Sequence, residues 1–104
     1  MVGLVSRKKI EWVSYNYELS LHAKDRIKER LNTDKTIREL IINSPLSWGL
    51  DKDTLIIAFN LYEYIAVSTD TGKPIVITFV DLRQHKKGIT VIDLFTQYST
   101  REQR

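Results

Sequence analysis

The stretch TLIIAFNLYEYIAVSTDTGKPIVITFVDL, residues 54–82, is dense in β-branched and aromatic side chains, the types that fill a pleated surface. Within it TLIIAF (54–59), YEYIAVST (62–69) and KPIVITFVDL (73–82) read as strands. Turn chemistry brackets them: Asp51-Lys52-Asp53 before the first, Asn60-Leu61 after it, and Asp70-Thr71-Gly72 before the third. Gly72 can take the positive φ of a tight hairpin, and Pro74 is tolerated only at a strand start or edge. Such short connections predict antiparallel neighbours, hence a meander. A fourth strand could come from SWGL (47–50) or from the N-terminal IEWVSYNY.

Upstream the period changes. In SLHAKDRIKERL (20–31), Ala23, Ile27 and Leu31 recur every four residues and fall on one helix face. Ser20 has the chemistry of an N-cap. Asn32 and Thr33 break the pattern, and a second helix starts near Asp34, turning Ile37, Leu40 and Ile41 inward. It must stop near Ser44, because Pro45 disfavours helical geometry in the residue before it. Downstream, TVIDLFTQYS has apolar residues at 91, 94, 95 and 98, a helical spacing, and Thr90 with Asp93 has the spacing of a capping box. A C-terminal helix is the reading, with ITVIDLF as a strand the alternative. The expected fold is therefore α+β: two N-terminal helices on an antiparallel sheet of three to four strands, with a C-terminal helix.

A chain of 104 residues, 42% hydrophobic and 28% charged, reads as one domain (1–104) with its own core. The absence of cysteine excludes disulfides and thiolate metal sites and suits a reducing cytoplasm. Nothing at the start reads as a secretory leader, and no run approaches membrane-spanning length, so no membrane role is expected. The net charge of +3 is uneven, with basic excess in the helical front and the tail and acidic excess between residues 45 and 70. That asymmetry is compatible with a polyanion on one side. TGKP (71–74) is a hairpin turn rather than a phosphate cradle, and two histidines 63 positions apart do not make a zinc site. No metal and no cofactor is expected.

The helix over residues 20–31 carries the candidate chemistry. His22, Arg26 and Arg30 form a slanted row beside the core row, Lys24 and Lys28 lie beyond it, and Asp25 and Glu29 form a third row within ion-pair spacing. An amphipathic helix with a solvated, salt-laced face explains this pattern, and so does a basic working surface. Trp12, Tyr15, Tyr17, Tyr62 and Tyr64 are either packing residues or stacking platforms for bases.

The order LSLHAKDRIKERLNTDKTIRELIINSP, followed by strands ending in VITFV, resembles a family of small bacterial and phage domains. Their signature is His-Ala and two arginines, a polar break, a second helix and strands closing on an Ile-Thr-Val-like run. His22, Ala23, Arg26 and Arg30 match it position for position; at the break the family has Gly-Ile where this chain has Leu31-Asn32. The family is similar in arrangement to the RelE-like and BrnT-like toxins, which cut RNA. That similarity implies a RelE-like arrangement and an endoribonuclease mechanism without metal, with His22 and His85 as acid and base. Arg26 and Arg83 would grip phosphate, and Arg30, Lys86 and Lys87 would add to the basic wall.

Against catalysis stands the meander, where residues 54–80 hold a single basic residue, Lys73, at a turn. The reading is accordingly a binding protein on a toxin-type scaffold, contacting RNA or a host protein through the basic helix face. The alternatives are the ribonuclease toxin, with an antitoxin as a further partner, and a phage-encoded inhibitor docked on a host protein.

Overall fold

The computed structural model describes residues 3–30, 34–85 and 88–102, without the side chains of residues 30, 34–36, 85 and 99–102. In chain order the elements are α1 (Arg7–Asn16), β1 (Glu18–Leu19), α2 (Leu21–Arg30), α3 (Asp34–Ile42), β2 (Leu46–Asp51), β3 (Thr54–Ala58), β4 (Glu63–Ser68), β5 (Ile75–Asp81), α4 (Leu82–His85) and α5 (Val91–Glu102). The α+β class stands. The sheet has five strands in the order β1-β5-β4-β3-β2, antiparallel except that β1 runs parallel to β5.

Two features of the expected arrangement are corrected. A helix, α1, precedes the anticipated pair, so IEWVSYNY is helical rather than extended. Its aromatic residues favour strands locally, but Ile10, Val13 and Ser14 are buried at helical spacing, and packing of that stripe overrides propensity. The sheet is also larger and mixed, because Glu18 and Leu19 join it outside β5. Glu18 N–H donates to Pro74 C=O at 2.9 Å and Ser20 N–H to Val76 C=O at 3.0 Å. A two-residue strand is too short to carry any alternation in sequence. The SWGL alternative is realised in β2, paired with β3.

The sheet is covered on both faces. Ile10, Val13, Ala23, Ile27, Ile37 and Ile41 from the three front helices pack on Leu55, Ile57, Ile65, Val67, Val76 and Phe79. On the other face Trp48, Ile56, Ala58 and Ala66 meet Leu82 and Val91, with Leu94, Phe95 and Tyr98 of α5 against them. Leu55 through Ala58 are consecutive and all buried, since alternate side chains of β3 serve opposite layers. The predicted core positions Ala23, Ile27, Ile37 and Ile41 are buried and Leu40 partly so, while Leu31 and the Asn32–Thr33 break lie outside the described residues. Trp48 closes the α5 side, its ring edge-on to Phe95 at a centroid distance of 5.3 Å.

The predicted punctuation is present. Ser20 Oγ accepts from Ala23 N–H at 3.1 Å, capping α2, and Gly72 has φ of 87° in the turn before β5. Thr90 and Asp93 form a reciprocal box: Asp93 N–H donates to Thr90 Oγ1 at 3.3 Å and Thr90 N–H to Asp93 Oδ2 at 2.7 Å. Replacing Thr90 by alanine removes the first bond and is expected to cost about 1 kcal/mol. A melting temperature lowered by roughly 4–8 °C in a calorimetric scan would register it; an unchanged one means the box contributes nothing.

Candidate functional site

α2 is fastened to the sheet at its start, where Ser20 N–H reaches Val76 and Ser20 Oγ donates to Ile77 C=O at 3.3 Å. With Ala23 and Ile27 buried beneath, the helix presents His22, Lys24 and Lys28 exposed and Arg26 half-buried at the rim. Asp25 and Glu29 are exposed on the same helix, so the face is basic but mixed.

Beside this face lies a groove of about 740 Å³, lined by Tyr17, Glu18, Leu19, Lys24, Arg38 and Ile75. Residues of β1, α2, α3 and β5 line it, with Tyr17 just past the end of α1. Arg38 Nε on α3 donates to Ser14 C=O of α1 at 2.8 Å, and its guanidinium lies over the Tyr17 ring at 5.4 Å from the centroid. One donor is thus anchored and the plane is supported by an aromatic face, a geometry that limits the rotamer freedom of a long side chain. No hydrogen bond among the described residues claims the two terminal nitrogens of Arg38 or the Lys24 ammonium. A pre-oriented fork with a point charge near it is suited to phosphate or carboxylate oxygens, with Glu18 an opposing charge in the lining.

Arg83 is differently placed. Its backbone N–H and its Nε each donate to Asp81 Oδ1 at 3.0 Å, and Nη2 donates to Oδ2 at 3.1 Å. Glu63 Oε2 lies 3.9 Å from Nη2, and the guanidinium sits over the Tyr62 ring at 5.3 Å. The hydrogen bonds that Asp81 accepts from it, then the charge of that carboxylate, hold the Arg83 guanidinium above its ordinary pKa. Asp81 is buried, and the end of β5 is tied to the loop before β4 by Arg83 over the Tyr62 ring and by Leu82 N–H donating to Tyr62 C=O at 2.8 Å. That loop is set by an Asx turn in which Asn60 Oδ1 accepts from Tyr62 and Glu63 N–H, both at 2.9 Å.

The candidate residues therefore divide. His22 and Arg26 share one accessible helix face. Arg83 lies past the end of β5, and Ile77, where α2 is fastened, precedes Asp81 by roughly 13 Å of strand. Among the described residues no hydrogen bond or ion pair links the α2 face to Arg83. Lys86 and Lys87 lie outside the described residues, as do the side chains of Arg30 and His85. Among the described residues no three His, Cys, Asp or Glu side chains are grouped to hold a metal, and no helix is long and apolar enough to cross a membrane. Comparison with known proteins finds no matching family model, no matching curated protein and no matching solved structure.

Sequence reasoning missed Arg38. It stands 21 positions from Tyr17, and only the packing of α3 on α1 joins them. The Asp81–Arg83 pair, by contrast, had a local signal: an Asp side chain can accept the backbone N–H two residues on, as Asp81 does from Arg83.

Proposed function

We propose that the chain is an RNA-binding protein on a RelE-like scaffold, with the α2 face and the adjoining groove as its contact surface. The carrying observation is Arg38, anchored by Ser14 and stacked on Tyr17, with no hydrogen bond to its terminal nitrogens among the described residues and with Lys24 lining the same groove. Helices α2 and α3 followed by the antiparallel run β2–β5 support the scaffold, since that is the arrangement the resemblance implies. Binding without turnover is the preferred form. Arg83, the phosphate grip required on the other side of a two-histidine site, already has Asp81 and Glu63 as counter-charges. The sheet face away from the front helices is lined by apolar residues under α5 rather than by cations.

Titration of a short fluorescent RNA at several salt concentrations tests this. The unaltered chain is expected to bind with an affinity that falls steeply with salt, and the RNA is expected to stay intact on a gel. Changing Lys24 and Arg38 together to alanine should weaken binding about tenfold or more at low salt and flatten the salt slope by roughly one to two units. His22→Ala should change affinity little. RNA that is not bound at low salt removes the proposal, and RNA cleaved by the unaltered chain but not by His22→Ala replaces it with the ribonuclease reading.

A further inference from the structure

On the opposite face, α5 leaves a cavity of about 290 Å³ between itself and strands β2–β4. Leu50, Ile56, Leu94 and the ring system of Trp48 give it apolar walls, and Tyr64, Tyr98 and Gln97 complete the lining. The volume is the space of about ten water molecules. It lies near the lower end of the range occupied by small-molecule sites.

The polar groups around this cavity have unused capacity. Trp48 is 2% exposed and contributes its ring to the wall, while its indole N–H is closed off and has no hydrogen-bond partner among the described residues. Among the described residues no hydrogen bond engages the Tyr64 or Tyr98 hydroxyl or the Gln97 amide. Burial raises the Tyr64 phenol above its ordinary pKa, so it stays a neutral donor at physiological pH. None of the lining residues carries a charge, and an ion entering here would lose its hydration with no counter-charge in return. A bare hydrocarbon would fill the space but leave the Tyr64 and Tyr98 hydroxyls and the Gln97 amide of the lining without a partner there, a loss that an acceptor avoids.

We infer that this cavity binds a neutral aromatic or apolar small molecule bearing a hydrogen-bond acceptor such as a carbonyl. The inference is independent of the RNA surface, which lies across the sheet. The Trp48 indole reports on it directly, being one of two tryptophans in the chain and distinguishable from Trp12 by a Trp12→Phe variant. Two probes of one shape separate the contributions: acetophenone, with a carbonyl, and ethylbenzene, without one. In proton–nitrogen correlation spectra acetophenone is expected to shift the Trp48 indole resonance saturably and to bind roughly 3- to 10-fold more tightly than ethylbenzene. The exposed Gln97, changed to lysine, keeps the fold and should weaken both probes by placing an ammonium in the lining. An indole resonance unmoved up to the solubility of acetophenone overturns the inference, as does equal binding of the two probes.

Discussion

Replacing Trp48 by alanine is expected to remove about 3–5 kcal/mol of unfolding free energy, a large part of the margin of a domain this size. Trp48 is 2% exposed and belongs to the layer that α5 closes, edge-on to Phe95 and opposite Ile56 in the β2–β3 register. Truncation would open new space next to the 290 Å³ cavity that Trp48 already borders. Two adjoining voids cannot be closed by a small shift of α5, so the cost should fall toward the upper end of the range. Trp48→Phe keeps most of the ring packing and deletes the unpartnered indole N–H, whose burial is itself unfavourable. It should therefore cost less than about 1.5 kcal/mol. Urea titrations followed by far-ultraviolet circular dichroism give both numbers. A loss below about 1 kcal/mol for the alanine variant would show that α5 and its layer contribute little to cohesion.

The contrast between the two faces explains what was legible in the sequence. β3, β4 and β5 announce themselves through β-branched runs and turn residues, and α2 through the four-residue recurrence of Ala23 and Ile27 under the Ser20 cap. These signals are local, each lying within one element. α1 was hidden because its stripe is narrow and its aromatics favour strands. β1 was hidden because two residues show no period, and its partner β5 lies 57 positions away. The candidate site divides in the same way. The basic face of α2 follows from one helix, whereas Arg38 on Tyr17 requires the tertiary contact of α1 with α3. The surroundings of Arg83 likewise come only from the fold, which sets the carboxylates of Asp81 and Glu63 against its guanidinium. The sign of a surface is set by the neighbours of its cations as much as by the cations.

Ile65→Ala should be nearly as damaging, at about 3–4 kcal/mol. β4 lies between β3 and β5, and Ile65 stands opposite Ile57 on one side and Phe79 on the other. All three belong to the layer on which α1, α2 and α3 rest, and Ile65 and Ile57 are fully buried. A side chain surrounded by hydrogen-bonded strands below and helices above has neighbours that cannot collapse inward, so most of the lost volume stays empty. Ile65→Val removes one methylene and should cost about 0.5–1.5 kcal/mol. Ile77→Ala, on the adjoining strand but 41% exposed, should cost far less, within about 1 kcal/mol. Denaturation midpoints in that order would fix the load on the front layer; Ile77→Ala matching Ile65→Ala would contradict it. The same series separates stability from recognition. The groove is lined by Tyr17, Lys24 and Arg38 with residues of β1 and β5, and Ile65 is not among them, so RNA affinity per folded molecule should hold while stability falls. A loss of affinity exceeding the loss of folded protein would mean that the helices carry the groove only as long as β4 holds them in register.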